Sequence, residues 1–563
     1  MAAAEKAKPS ARARKRERGA PAHVISVPLR PTPAQMARVS ARLEASRRHY
    51  NACLGEALRR CAAMHGDPDF DRAKKLVKGP PRSPAAVARR EAFACVARRH
   101  GFTSGDLGSY GSSLRVAFMR GHVGAQEAQV LGVRAFDATD RWSKRIGGKP
   151  RFKSVRRGLR SASTKDRCGD MAPVLDGDGA PVGLRWAKLD IAFAPIPGGS
   201  SSRANREAAA ERARLQEKLS TGGLLQVRVV RTVLAGRATL RAHLVVDGRP
   251  PVRHEVGKAT VSIDAGPSDI YVVTADAAGA PVPQGCGRRQ LAPGVTYPAA
   301  ELRRAQRRLD RQHRAGSPSC FDDKWRHRKG GCDWKERSKR SERTRTEIAD
   351  SYRRLVACRA SAHGELTNDL LSLGVDVRFE RLEYRSWQKM FPRSVRDRAI
   401  GAFMETLTRK AENAGGSVYP YSPYTTALSQ SCVCGRRERK PLSQRQHRCT
   451  CGAEAQRDLF SAFLGSYVTS AEAGNHSLDV LDQEGVAASF AAFAPHLQEA
   501  GGSPWSSGVA DKRRVRRRRP PGRRSLVRIR HRHSRRVQDA TETLGENPEE
   551  IQATPAHDEQ VAA

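Results

Sequence analysis

Apolar and polar positions change their period several times along the chain, and those changes predict its elements. His23 to Leu29 reads as a short strand. Pro31-Thr32-Pro33 then opens a helix that runs through Tyr50 and beyond. In it Met36, Val39, Leu43 and Tyr50 recur at near-helical spacing, while Arg38, Arg42, Arg47 and Arg48 cover other faces. Helical patterns continue, with interruptions, to about Trp142, and Gly147 to Lys153 reads as a turn into basic extended chain. From Val182 to Val246 the pattern is mostly strand. Leu225 to Val230 and Ala238 to Val246 alternate around Gly236 as a hairpin would, and such strands predict a small β-barrel. An Ala/Arg/Glu-rich stretch at residues 203–218 interrupts them as a solvated helix.

The character changes at Lys258. Ala259 to Ala265 is a buried-strand pattern ending in Asp264, Ala265 and the turn residue Gly266, and Ile270 to Thr274 returns as a second strand. Long helices follow, including Leu302 to Leu309 and Lys339 to Leu373. Val375 to Glu380 is another strand with a carboxylate at its end, and a helix from Ser394 to Gly415 leads to extended chain at Ser417 to Tyr421. A cysteine-rich segment and a last helix, carrying Leu459, Phe460, Phe463 and Leu464, complete the series. The order strand, strand, helices, strand, helix, strand, insert, helix suits an α/β sheet of the ribonuclease-H type. Beyond Glu472 the pattern weakens, and Lys512 to Arg536 holds 14 Lys/Arg residues in 25 positions. Residues 1–20 and this tail are expected to be basic and disordered.

Charge narrows the function. Lys and Arg number 102 against 58 acids, a formal net charge of +44 over 563 residues. Such an excess fits a polyanionic partner, whose released counterions would supply much of the affinity. A membrane role is not expected, because no long apolar run is present and no apolar segment follows the basic N-terminus. Cysteines outside the cluster are scattered without even spacing, which argues against a secreted disulfide scaffold and for a cytoplasm.

Two kinds of chemistry stand out. Cys432-Val433-Cys434-Gly435 and Cys449-Thr450-Cys451-Gly452 bracket a 14-residue loop rich in Arg, Lys and Gln. Four thiolates so gathered can close a tetrahedral Zn²⁺ site, and each glycine permits the tight turn that brings backbone amides toward sulfur. Both pairs are Cys-x-Cys, one residue shorter than zinc ribbons usually use, and His447 is near enough to substitute for a thiolate. The plain alternative is four free cysteines in a reducing cytosol. The second chemistry is that of three carboxylates: Asp264 and Glu380 at strand ends and Asp458 at a helix start, 116 and 78 residues apart. Phosphodiester hydrolysis profits from two divalent ions held by such hard ligands, although an aspartate after an apolar strand is more often a turn residue.

These motifs resemble the TnpB (OrfB) family of transposon-encoded RNA-guided nucleases, related to type V CRISPR effectors. Ile263-Asp264-Ala265-Gly266, Phe379-Glu380-Arg381-Leu382 and Arg457-Asp458-Leu459-Phe460-Ser461-Ala462 are similar, in order, to that family's three RuvC-like motifs. The cysteine segment with its Ser429-Gln430 lead-in is similar too, as are the basic Arg304 to Leu309 and the Pro150-Arg151-Phe152-Lys153 turn. Both Cys-x-Cys pairs, a long loop at Ser317 to Glu336 and the basic tail depart from the commonest pattern. The likeness spans about residues 23–470.

The resemblance implies an RuvC-like nuclease domain at 258–425, a zinc-ribbon insert at 426–455 and a final RuvC-like segment at 456–475. Before these it implies a disordered arm at 1–20, a first barrel strand at 21–33, a helical nucleic-acid-binding lobe at 34–149 and a wedge-like barrel at 150–257; a disordered tail at 476–563 follows. It further implies a guide RNA and target DNA as partners, catalytic Mg²⁺ (two ions) on Asp264, Glu380 and Asp458, structural Zn²⁺ on the four cysteines, and a bacterial, nucleoid-associated location. Tyr384, Trp387 and Phe391, just after Glu380, are candidates for base stacking or for ordinary core packing. Transposase is a label such chains carry, yet nothing here resembles a strand-transfer tyrosine site. Two other readings remain: a guide-dependent binder without cleavage, and a non-catalytic zinc-ribbon protein that binds nucleic acid.

Overall fold

The computed structural model describes residues 20–79, 83–155, 158–165, 170–196, 203–328, 338–441, 444–470 and 478–498. The basic arm, through residue 19, and the Lys512 to Arg536 tail lie outside the described residues. The described chain divides into two compact units, one ending at Arg249 and one beginning at Pro250.

In the first unit, β1 (Ala22–Leu29) leads into α1 (Pro33–His65). Thr32 caps that helix by accepting from the Gln35 amide while the Gln35 side chain accepts from the Thr32 amide, a reciprocal box that satisfies two orphan donors. Helices α2 (Pro68–Lys75), α3 (Pro84–Arg99), α4 (Ser104–Leu114) and α5 (Ala125–Ser143) follow. Cys53, Leu54 and Ala57 of α1, Leu107 of α4 and Ala128, Leu131 and Ala135 of α5 form one core. Gly111 and Gly132 lie where helix backbones meet: a Cβ on Gly132 would come within 2.1 Å of the Leu107 carbonyl oxygen.

Strands β2 (Ser161–Ser163), β3 (Met171–Leu175), β4 (Pro181–Trp186) and β5 (Leu189–Ala192), helix α6 (Arg203–Ser220), and strands β6 (Leu224–Leu234) and β7 (Arg237–Asp247) complete the unit. They form antiparallel sheets of order β1-β7-β6-β2 and β3-β4-β5 around a shared core that includes Val27, Trp186, Val229 and Leu244. The hairpin at Gly236 is present; Ala235 and Gly236 both have positive φ, the conformation of a tight two-residue turn matched to strand twist.

Glu127 of α5 is 1% exposed within the helical core. Its Oε1 accepts from the Ser46 hydroxyl and its Oε2 has no partner. Burial pushes its carboxyl up to about 7, against hydrogen bonds from Ser46 and the Gly124 amide and the charge of Arg42; Asp170 adds to the rise. The unfolded chain releases this proton near the ordinary value of 4.5, so folding stability falls as pH rises from there through about 7 and then levels. Glu127→Gln should therefore stabilise the protein at pH 8, by up to about 3 kcal/mol, and do little at pH 4. Chemical denaturation at both values checks this; an equal effect at both would show that folding does not raise the Glu127 carboxyl.

The second unit is built on β8 (Thr260–Ala265), β9 (Asp269–Ala275) and β10 (Gly287–Gln290), then α7 (Ala299–Gly316), α8 (Lys339–Leu373) and β11 (Asp376–Glu380). Helices α9 (Tyr384–Met390), α10 (Pro392–Arg398) and α11 (Ile400–Asn413) lead to β12 (Val418–Tyr421). The sheet order is β10-β9-β8-β11-β12. β9 is antiparallel to both neighbours, whereas β8, β11 and β12 run parallel. This is the mixed α/β sheet that the strand pattern predicts. The single helix expected from Ser394 to Gly415 is broken at Ala399, whose φ is +48°.

After α12 (Pro423–Thr426) come the cysteine segment with β13 (Gln446–Arg448) and β14 (Glu454–Gln456), then α13 (Arg457–Gly465) and β15 (Val468–Ser470). The disordered tail expected from residue 476 begins too early. Asp479–Leu481 forms β16, paired with β15, and Gln483–Phe493 forms α14. Val486, Phe493 and Leu497 are fully buried against α13, each such side chain contributing about 1.5–3 kcal/mol. Among the cysteines outside the cluster, Cys53, Cys61, Cys95, Cys286 and Cys358 are free and Cys320 is disulfide-bonded.

Candidate active site and metal centre

Strand alternation decides which face each candidate carboxylate occupies. Val261, Ile263 and Ala265 of β8 and Val377 and Phe379 of β11 enter one core with α11. The period of two therefore turns Ser262, Asp264, Arg378 and Glu380 to the opposite face, which carries α13. Arg378 accordingly donates to the Ser466 and Val468 carbonyls beyond the end of α13. Gly465 lets that helix lie close to the sheet, because a Cβ there would meet the Tyr421 hydroxyl at 2.4 Å and Ser262 Oγ at 2.7 Å.

Phe379 pairs with Ile263 in the parallel register, so Asp264 and Glu380 follow one step further on at the carboxyl ends of adjacent parallel strands. Asp458 sits in the first turn of α13, where the helix dipole favours an anion. Asp264 feels both of the other acids. Burial raises the Asp264 carboxyl well above the usual carboxylate range, and the charges of Asp458 and Glu380 raise it further, against Arg457 and Arg445. Burial lifts Glu380 to about 7.

Asp458 is held from several sides. Its Oδ1 accepts from Arg457 Nε at 3.0 Å and Nη2 at 2.9 Å; its Oδ2 accepts from Arg445 Nη1 and Gln456 Nε2, both at 3.3 Å. Arg445 and Gln456 are positioning groups that no sequence motif marked, and Arg457, though inside a motif, had no role assigned. Tyr384 and Trp387, both partly buried, pack against the sheet core and meet each other edge to face.

The cysteine segment closes on itself. Cys432 Sγ lies 3.6 Å from Cys451 Sγ and Cys434 Sγ 3.7 Å from Cys449 Sγ, with all four sulfurs within 4.8 Å of one another. A tetrahedron with Zn–S bonds of 2.3 Å has edges of about 3.8 Å, so the four sulfurs fit zinc despite the short spacing. Gly435 and Gly452, both at positive φ, make the turns that the sequence predicts. Within the quartet the Cys451 amide helps lower the Cys449 thiol to about 6, while burial raises the Cys432 and Cys451 thiols. His447 stands outside this quartet. It is buried, stacked on Phe460 at 4.1 Å, with Nε2 3.3 Å from Cys432 Sγ, a supporting contact.

Among the described residues, only these cysteines bring three or more Cys, His, Asp or Glu ligand atoms within 4.8 Å of one another. The carboxylates are spread more widely than a cage for one ion. Ribbon and acids are nonetheless joined by short links: the Arg457 amide donates to the Arg445 carbonyl, and its guanidinium to the Pro441 and Gln444 carbonyls.

A protein-family model described as "Cas12f1-like, TNB domain" matches residues 401–464, the interval holding α11, the four cysteines and Asp458. The match shows a likeness to that domain over residues 401–464 alone. No curated protein matches. Two cryo-EM structures align weakly. One, of a Cas12f1–sgRNA–target DNA complex, is 11% identical with a TM-score of 0.36, over 79% of this chain and 98% of that one. The other, of a CRISPR–Cas12f ternary complex, is 14% identical with a TM-score of 0.22, over 76% and 81%. Likeness this slight carries no argument about the fold. Among the described residues, no helix is long and apolar enough to cross a membrane.

Proposed function

We propose that the chain is an RNA-guided DNA endonuclease that hydrolyses phosphodiester bonds at Asp264, Glu380 and Asp458. The reading rests chiefly on one observation. Three carboxyls distant in sequence gather where one sheet face carries α13, close enough for Asp458 and Glu380 to raise Asp264. Crowded acids of this kind are costly unless they serve as hard ligands to cations. The sheet order, with an antiparallel β10-β9-β8 half and a parallel β8-β11-β12 half, suits a ribonuclease-H or RuvC-like core.

Asp264 and Glu380, on rigid adjacent strands, would offer carboxylate oxygens to Mg²⁺, and Asp458 would complete the donor set. Two such ions about 3.5–4 Å apart are the arrangement that in-line phosphodiester hydrolysis profits from. Bound divalent ions supply water activation and charge stabilisation in such chemistry. The protein's own part is to orient: Arg445, Arg457 and Gln456 fix the Asp458 carboxylate, and the sheet fixes the other two. The cysteine quartet, with zinc, would staple the segment that carries Arg445. Guide RNA and target DNA are the proposed partners, as the family resemblance of the motifs implies. Base pairing would read the sequence, leaving this chain's +44 charge to hold phosphates.

The deciding experiment sequences RNA that copurifies with the chain, then assays cleavage of DNA complementary to it in Mg²⁺. A defined RNA species and cleavage that depends on it support the proposal. A defined RNA without cleavage leaves a guided binder, and heterogeneous fragments alone leave a generic nucleic-acid-binding protein; either result overturns it.

A further inference from the structure

The loop after α7 is one of the departures from the family pattern, and the proposed cleavage reaction gives it no task. It presents Trp325, 51% exposed, at the turn of a short hairpin in which Phe321 bridges to His327. The hairpin is firmly made. Asp322 Oδ1 accepts from the Lys324 and Arg326 amides at 3.0 and 2.7 Å, and its carbonyl accepts from the Trp325 amide. Arg328 Nε donates back to the Phe321 carbonyl. Trp325 itself has a φ of +55°, a conformation that is costly for a bulky side chain and is retained where the surroundings over-determine it. One edge of the indole leans on buried Phe321, with ring centroids 6.3 Å apart.

The surroundings are cationic. The Arg314 guanidinium lies 5.8 Å from the indole centroid, and Lys324, Arg326 and Arg328 are exposed beside it. Arg314 also lines a groove of about 800 Å³ along α7, where Arg304, Arg307, Arg308 and Arg311 outnumber the acids Glu301, Asp310 and Glu347, the last paired with Arg308. A row of arginines therefore ends at an exposed aromatic ring. Cations spaced along a groove neutralise a phosphate backbone, and an aromatic face at its end takes an unpaired base. A second copy of the chain is a poor occupant, since it would bring the same positive charges to the contact. A duplex is also a poor fit for the ring, because its bases are already stacked.

We infer that Trp325 is a stacking platform for an unpaired nucleobase and that the α7 arginines hold the flanking phosphates, a single-strand binding site separate from the carboxylate cluster. The inference rests on the nucleic-acid-binding half of the proposed function and not on cleavage, so the test needs neither guide nor divalent ion. Fluorescence anisotropy would follow the full-length chain, freed of copurified nucleic acid, binding labelled oligo-dT, oligo-rU and a DNA duplex of equal length across a salt series. Trp325→Ala should weaken single-strand binding about tenfold. Duplex binding should change less than about twofold and the salt slope not at all, because no charge is lost. Trp325→Phe should recover most of the loss at an unchanged melting temperature, which separates stacking from misfolding. Loss confined to oligo-dT identifies DNA as the source of the base, and loss confined to oligo-rU identifies RNA. Unchanged single-strand affinity in Trp325→Ala, an equal loss on duplex, or no rescue by phenylalanine would overturn the inference.

Discussion

Asp264→Ala should abolish guided DNA cleavage, by on the order of 10⁴-fold, while nucleic-acid affinity stays nearly intact. Affinity comes from many Lys and Arg contacts spread over the chain, and none depends on this carboxylate. Glu380→Ala and Asp458→Ala should match it, and a double variant should be no worse than either single one, because groups that serve one centre fail as a unit. A purely structural defect predicts a different result. In the metal-free protein burial, and after it the charges of Asp458 and Glu380, push the Asp264 carboxyl up, so Asp264→Asn removes the cost of keeping an ionisable group there. It should raise the melting temperature, each kcal/mol relieved being worth about 2–4 °C in a unit of this size. Loss of cleavage with a gain in stability is the signature of a site built for function at the expense of stability. Manganese binding, followed by its paramagnetic signal, should weaken in all three variants. If Asp264→Ala still cuts at the wild-type rate, the assigned site is wrong.

Much of this site was legible because strands buried on one face announce themselves. The run around Val261, Ile263 and Ala265 and the alternation at Val377 and Phe379 mark the core face, and with it the strands whose ends carry Asp264 and Glu380. The helix start at Pro31-Thr32-Pro33 and the Gly236 turn are likewise local chemistry, read from a few neighbouring residues. What escaped was set by distant partners. β10 is Gly287-Arg288-Arg289-Gln290, a polar edge strand with no apolar alternation to reveal it. Helix α14, Gln-Glu-Gly-Val-Ala-Ala-Ser-Phe-Ala-Ala-Phe, has no charged face after its first turn, so its period is faint. Packing into the core shared with α13 is what gives Val486 and Phe493 a reason to be ordered. Arg445 sits in a basic loop 13 residues before Asp458, indistinguishable in sequence from its neighbours until the ribbon folds.

Cys432→Ser or Cys451→Ser should release zinc and unfold the ribbon, with on the order of 10 kcal/mol of metal-coupled folding energy at stake. The effect should not stop there. Arg445, Pro441 and Gln444 lie in the ribbon, and their carbonyls and the Arg445 guanidinium anchor Arg457 and Asp458. Once the quartet opens, the Asp458 carboxylate loses a fixed partner and α13 loses its lead-in, so cleavage should fail together with zinc. The converse does not hold: Asp264→Ala should keep stoichiometric zinc, since Asp264 touches nothing in the quartet. His447→Ala separates a ligand from a support. All four sulfurs already meet without the imidazole, so the variant should retain zinc and lose only the ring stack on Phe460 and the contact to Cys432. Zinc content by elemental analysis, with limited proteolysis of the Arg436 to Arg445 loop, reads each case. Protein purified without chelator and lacking stoichiometric zinc would refute the quartet as a metal centre, and zinc loss in His447→Ala would make the histidine a ligand after all.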